Sequence, residues 1–157
     1  MWRFGTFHAY SYAGGSYLDN PQHCLYELSR KRWLAKQDPL WVSFVAIKSK
    51  GEQSRCVRSW LARRLKNSFF ESLRRKGYAR DGTALDGGQE KEALYGTAQL
   101  LTERAMVQVG AKALQDQTDE AVDIIIQLQK RNTRRANFDR GQEGQNRSEK
   151  RFRFHPA

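Results

Sequence analysis

Apolar residues recur at four-residue steps between positions 53 and 76, the most regular pattern in the chain. In QSRCVRSWLARRLKNSFFESLRRK, Val57, Leu61, Leu65, Phe69 and Leu73 form one stripe with Ala62 beside it, the spacing of a helix with one buried face. Gly77 suits the left-handed residue that closes a helix, and Arg74, Arg75 and Lys76 suit its negative end. The run LWVSFVAI has a different character: short, uninterrupted, and rich in β-branched and aromatic residues between Pro39 and the loop Lys48-Ser49-Lys50-Gly51. It predicts a strand near 40–48. Its unbroken apolarity predicts a central strand covered on both faces, with Val42 and Phe44 buried.

Weaker patterns fill in the rest. Asn20 as N-cap with Pro21 in the first helical position predicts a helix near 21–37, stopped by Asp38-Pro39. Asp81-Gly82 between two short runs, in YARDGTAL, is a hairpin signal, and Asp86 to Glu92 reads as a loop. LYGTAQLL predicts a strand near 94–101, with Gly96 a weak point. Residues 103–114 fit a helix through Met106, Val109, Ala113 and Leu114, or a strand through Ala105, Val107 and Val109; helix fits better. Thr118-Asp119-Glu120 opens a last helix near 118–131, faced by Val122, Ile125, Ile126 and Gln129. Residues 1–18, with Trp2, Phe4, Phe7, Tyr10, Tyr12 and Tyr17 among Gly and Ser, read as an arm, irregular or contributing an edge strand. From Asn132 the chain carries almost no apolar residue before Phe152 and Phe154, so 132–157 reads as a disordered basic tail.

The expected fold is α+β: one domain over 19–131, a small sheet built on the two strands, and three helices covering it. A chain of 157 residues with an apolar fraction of 39% is the size of one domain.

Charge sharpens this picture. The net +11 is segregated: residues 53–77 hold eight Lys/Arg against Glu71 alone, 78–129 hold four against nine acids, and 130–157 hold nine against three. A basic central helix and a basic tail, parted by an acidic stretch, suggest a polyanion-facing surface; solvated helix faces without a partner are the plainer alternative. Cys24 and Cys56 are far apart and form no C-x-x-C pair, which leaves a disulfide open but builds no secreted framework. LWVSFVAI is much shorter than the ~20 residues a membrane helix needs, and the amino end has no apolar signal core. The expectation is an intracellular protein, nuclear or cytoplasmic. The absence of acids before Asp19 is a trait of mitochondrial presequences, but Arg3 is the lone base of that segment and does not support import into the matrix.

Enzyme chemistry finds no foothold. His8, His23 and His155 are scattered, and the adjacent His23-Cys24 cannot share a helix face, so no metal set is expected. No nucleophile elbow, phosphate loop or H-E-x-x-H occurs, and Gly14-Gly15-Ser16 and Gly87-Gly88 read as loops. The expectation is therefore no catalytic residue, no metal and no cofactor. The basic helix carries more. Trp60, Arg63, Asn67, Phe70 and Arg74 follow at steps of three and four, roughly opposite the Val57–Leu65 part of the apolar stripe. Such a face suits single-stranded nucleic acid: guanidinium groups hold phosphates while rings stack bases. Equally, Trp60 and Phe70 could be core against a second layer. In the tail, Arg134, Arg135, Arg151 and Arg153 resemble arginine-rich arms that order on a polyanion, or else belong to a plain terminus.

The run VSFVAIKSKGEQSRCVRSWLARRLKNSF, strand then basic loop then arginine-rich helix, resembles the protein subunit of bacterial ribonuclease P in arrangement. It lacks that family's Arg-Asn-Arg signature and spans under a fifth of the chain, so it assigns no membership. What it implies is that such an arrangement can suit RNA. The function expected from sequence is binding of RNA or another polyanion, as a structural or assembly component of a ribonucleoprotein. The alternative is a protein–protein adaptor whose basic helix docks an acidic partner.

Overall fold

A computed structural model describes the backbone of residues 1–10, 12–46, 54–85 and 92–152, and their side chains apart from residues 12, 13, 16 and 135–152. The chain runs β1 (Trp2–Gly5), α1 (Tyr12–Leu18), α2 (Tyr26–Leu34), β2 (Leu40–Ala46), α3 (Arg55–Arg75), β3 (Gly96–Thr102), a 3₁₀ turn (Arg104–Val107) and α4 (Ala111–Phe152). This is the expected α+β architecture. The strands order as β1-β3-β2, with β1 antiparallel and β2 parallel to β3. Parallel neighbours need a crossover, and α3 is part of it.

The strand at 40–46 forms as expected but lies at an edge, and β3 is the central strand. The inference from continuous apolarity fails for a definite reason. Leu40, Val42 and Phe44 face α3, while Trp41 on the opposite face meets Trp33 of α2 at 5.8 Å between ring centroids and His8 at 4.3 Å, nearly parallel. Both faces are covered, which side chains report; whether a strand has one neighbour or two is a matter of backbone hydrogen bonds, which they do not. Leu40 and Trp41 are buried, whereas Val42 and Phe44 are only half-buried against the core. The predicted extension past Ala46, the helix start at 53 and the loop from Asp86 to Lys91 lie outside the described residues.

β1 comes from the arm, which is therefore an edge strand at its start and not irregular throughout. Beyond it, Thr97 on β3 fastens the arm: its hydroxyl donates to the Phe7 carbonyl at 3.0 Å and accepts from Ala9 N–H at 2.9 Å. His8 Nε2 lies 2.9 Å from the Pro39 carbonyl oxygen. Tyr12–Leu18, expected as a loop around Gly14-Gly15, is helical in α1 and packs on α2. The second helix begins at Tyr26, not 21. Asn20 Oδ1 accepts from Gln22 N–H at 3.0 Å and His23 Nδ1 from Leu25 N–H at 3.0 Å, so local side-chain bonds hold two tight turns where helix was expected. It also stops at Leu34, short of the expected 37.

α3 matches its pattern closely. Ser54 caps it by accepting from Val57 N–H at 3.3 Å. Leu61, Leu65, Phe69 and Leu73 are buried. Gly77, at φ +82°, closes it, with Gly77 N–H on the Arg74 carbonyl at 3.0 Å and Tyr78 N–H on the Leu73 carbonyl at 2.9 Å, the paired bonds of a Schellman end. The hairpin signal at 78–85 yields an antiparallel bridge, Tyr78 to Ala84.

α4 starts at Ala111, seven residues before the expected 118, and absorbs the end of the ambiguous segment, whose first part is the 3₁₀ turn. Thr118, expected to open the helix, is a buried interior residue. It accepts from Ser72 at 2.9 Å and pairs with Ser68 at 2.9 Å, while Gln115 Nε2 donates to Ser72 Oγ at 2.7 Å. A hydrogen-bonded seam thus joins α3 to α4 within an otherwise apolar core of Leu65, Phe69, Leu73, Leu114, Val122 and Ile125. The helix continues past Arg131, where its expected end lay. The disordered tail expected over 132–157 falls, from residue 135, outside the residues whose side chains are described.

Candidate nucleic-acid interface

With its apolar stripe against the sheet, α3 turns the opposite side outward, and Trp60, Arg63, Asn67 and Arg74 are exposed there. Trp60 is 49% exposed, so it is not core. Its ring sits 5.2 Å from the Arg64 guanidinium, which is itself fastened: Nη1 donates to the Met106 carbonyl at 3.3 Å and Nη2 to that of Val109 at 2.5 Å. A ring beside an anchored cation is held in place while about half of its side chain stays in solvent.

Phe70 behaves differently. It is half-buried, packed on Phe44 at 5.6 Å and Phe69 at 6.3 Å. Lys66 Nζ and the Arg80 guanidinium also approach its ring, at 5.9 Å and 5.3 Å. It is thus core at one edge and surface at the other. A cleft of about 510 Å³ opens beside it, lined by Asn67, Phe70, Glu71, Arg74, Tyr78 and Arg80 together with Ala79 and Leu85. Three predicted residues, Asn67, Phe70 and Arg74, share this cleft; Trp60 and Arg63 lie outside its lining, further toward the start of the helix. Arg134 is exposed on α4 and does not line it. Arg135, Arg151 and Arg153 lie outside the residues whose side chains are described.

Electrostatics changes the weight of the basic residues. Arg74 Nε and Nη2 both donate to Glu71, each at 3.1 Å, and Arg75 Nε reaches the same carboxylate at 3.6 Å. The Arg74 hydrogen bond, with the charges of Arg74 and Arg75, holds the Glu71 carboxyl below its usual range. Across the seam Arg75 meets Asp119 at 3.4 Å and Lys76 meets Asp123 at 2.6 Å. The acidic stretch of the sequence therefore neutralises part of the basic helix. Burial pushes the Tyr78 phenol up, and the Glu92 carboxylate adds to the effect.

Sequence reasoning misses Lys66, Tyr78 and Arg80. Lys66 is legible in principle, one turn before Phe70 on the same helix. Tyr78 and Arg80 reach the site because residues 78–85 fold back, with Asp81 O accepting from Leu40 N–H at 2.9 Å and Gly82 at φ +87°. Among the described residues no three His, Cys, Asp or Glu side chains gather as metal ligands, and no helix is long and apolar enough to cross a membrane. Cys24 and Cys56 are both free and exposed.

No protein-family model, curated protein or solved structure matches this chain.

The two rings separate cleanly in a stability assay. Trp60→Ala removes an exposed side chain and should lower stability by ~1 kcal/mol at most, the range of an exposed cation–π pair. Phe70→Ala should forfeit about half of the ~3–5 kcal/mol typical of a fully buried Phe. Chemical denaturation of both variants measures this; equal losses would contradict the different burial of the two rings.

Proposed function

We propose that this protein binds single-stranded nucleic acid, RNA in the first instance, along the outer side of α3. The observation that carries the reading is the cleft, which Phe70 lines with Asn67, Arg74 and Arg80, with Lys66 beside the Phe70 ring and exposed Trp60 and Arg63 further along the same side. Cations follow a phosphate backbone, and aromatic faces accept unpaired bases at ~1–3 kcal/mol each. Arg63, Lys66 and Arg80 supply phosphate contacts, while Arg74 acts with its Glu71 partner attached. Arg134, Arg135, Arg151 and Arg153 would extend the interface onto the C-terminal segment. A role as a structural or assembly component of a ribonucleoprotein fits a binding surface of this kind.

Reversal of Arg63 and Arg74 to Glu tests the proposal by fluorescence anisotropy with labelled single-stranded RNA. Binding should weaken by an order of magnitude or more at low salt. The log–log salt slope should flatten by about 0.7 for each phosphate that is no longer neutralised. The melting transition should change little, since both residues are exposed. A folded double variant that binds RNA as tightly as the parent removes this helix from the site. Displacement by an acidic protein but not by RNA would favour the adaptor reading instead.

A further inference from the structure

A second cavity, of about 270 Å³, lies between the sheet, α3, the 3₁₀ turn and the start of α4, and shares no lining residue with the Phe70 cleft. Its walls are drawn from the core itself. Leu65 of α3, Leu100 of β3, and Leu114 and Ala121 of α4 are buried, and Met106 and Val109 are half-buried beside them. Packed interiors rarely leave a void larger than a water molecule. At nearly twice the ~150 Å³ of an apolar cavity that admits benzene, this one has room for a bicyclic ring.

The space is held open from both sides. Arg64 donates to the Met106 and Val109 carbonyls, which fixes the 3₁₀ turn to α3. On α4, Thr118 also lines the cavity; it accepts from Ser72 at 2.9 Å and donates to the Gln115 carbonyl at 2.9 Å. Closing the gap would strain these bonds, and a buried polar group left without its partner carries a desolvation penalty. The cavity is thus preformed, as ligand sites commonly are.

Water is a poor filling for it. A buried water needs roughly two to four polar partners, and the hydroxyl of Thr118, the buried polar side chain of the lining, is already engaged. Glu103 and Gln117 line it too but are exposed, at the rim. No charged side chain of the lining is buried, so a charged ligand would lie inside unpaired, at high cost. We propose that this cavity is a binding site for a small, neutral, apolar molecule of about the size of indole, seated against Leu65, Leu100 and Met106. It stands apart from the outer side of α3 and would operate whether or not the protein binds nucleic acid.

The test is an indole titration of the full chain with isotope-labelled Leu, Val and Met methyl groups, followed by NMR. The methyls of Leu65, Leu100, Met106 and Val109 should shift and saturate. Those of Leu40 and Leu94, buried in the core but outside this lining, should stay in place. The melting temperature should rise with indole concentration, because the ligand binds the folded state. Ala121→Met places a larger side chain in the cavity, and the folded variant should lose the saturable shifts. An A121M protein that folds and binds indole as the parent does overturns the proposal. So does a parent protein in which no methyl shift saturates, or in which Leu40 and Leu94 move as far as Leu65; that measurement needs no variant. Shifts of the lining methyls on raising protein concentration without indole would assign the cavity to a side chain from a second copy instead.

Discussion

Phe69→Ala is expected to cost ~3–5 kcal/mol of stability, at least a fifth of the ~5–15 kcal/mol that a domain typically holds. The side chain is 0% exposed, with Phe44 of β2 at 6.1 Å and Phe70 at 6.3 Å, and it sits where α3 meets the sheet. Truncation leaves a void bounded by a helix and a strand, neither of which can close in without disrupting its other packing. Urea melts should show the midpoint shift at an unchanged slope. RNA binding should fall only in proportion to the folded fraction, which separates Phe69 from Arg63 and Trp60. A loss under ~1 kcal/mol would mean that α3 does not pack on the sheet as described.

Gly96→Val should be comparably severe, for a different reason. Gly96 opens β3 at φ +129°, where a β-branched residue is strained by ~1–3 kcal/mol. A side chain there would also collide with the Gly5 carbonyl oxygen and press on Phe4 and Thr6 at 3.2 Å. The expected total is about 3 kcal/mol or more, with β1 displaced first, because β1 is held mainly by its ladder to β3. Amide exchange should show protection lost across Trp2–Gly5 before the rest of the sheet opens. Gly110→Ala provides the contrast: a Cβ there meets nothing within 4 Å, so stability should hardly move. Protection of β1 unchanged in Gly96→Val would contradict the close approach of the two strands.

The residues of the candidate site are partly legible in the sequence, and the reasons differ from one to the next. Trp60, Arg63, Asn67, Phe70 and Arg74 belong to one helix side because helical geometry is local. Whether Trp60 or Phe70 is core depends on what packs against α3. Arg64 and the turn at Met106–Val109 keep Trp60 at the surface, whereas Phe44 claims one edge of Phe70. The charge profile misleads in one respect. Asp119 and Asp123 lie 44 or more residues beyond their partners Arg75 and Lys76 in sequence and face them in space, so part of the basic excess is neutralised within the fold.

Local physics settles much of this protein from sequence alone. The four-residue apolar step, the glycine that closes it and the short β-branched run specify α3, its Gly77 end and β2, since each depends on neighbours a few residues away. Tertiary structure decided everything that depends on backbone pairing or distant packing. β3 is central although GTAQLLT is less apolar than β2, because pairing with β1 on one side and β2 on the other satisfies its backbone, and Thr97 is satisfied by the arm. The first strand, from the aromatic arm, needed that same partner. The cleft itself exists because residues 78–85 turn back beside α3 and bring Tyr78 and Arg80 to Phe70. No periodicity within a segment records which distant segment it will meet.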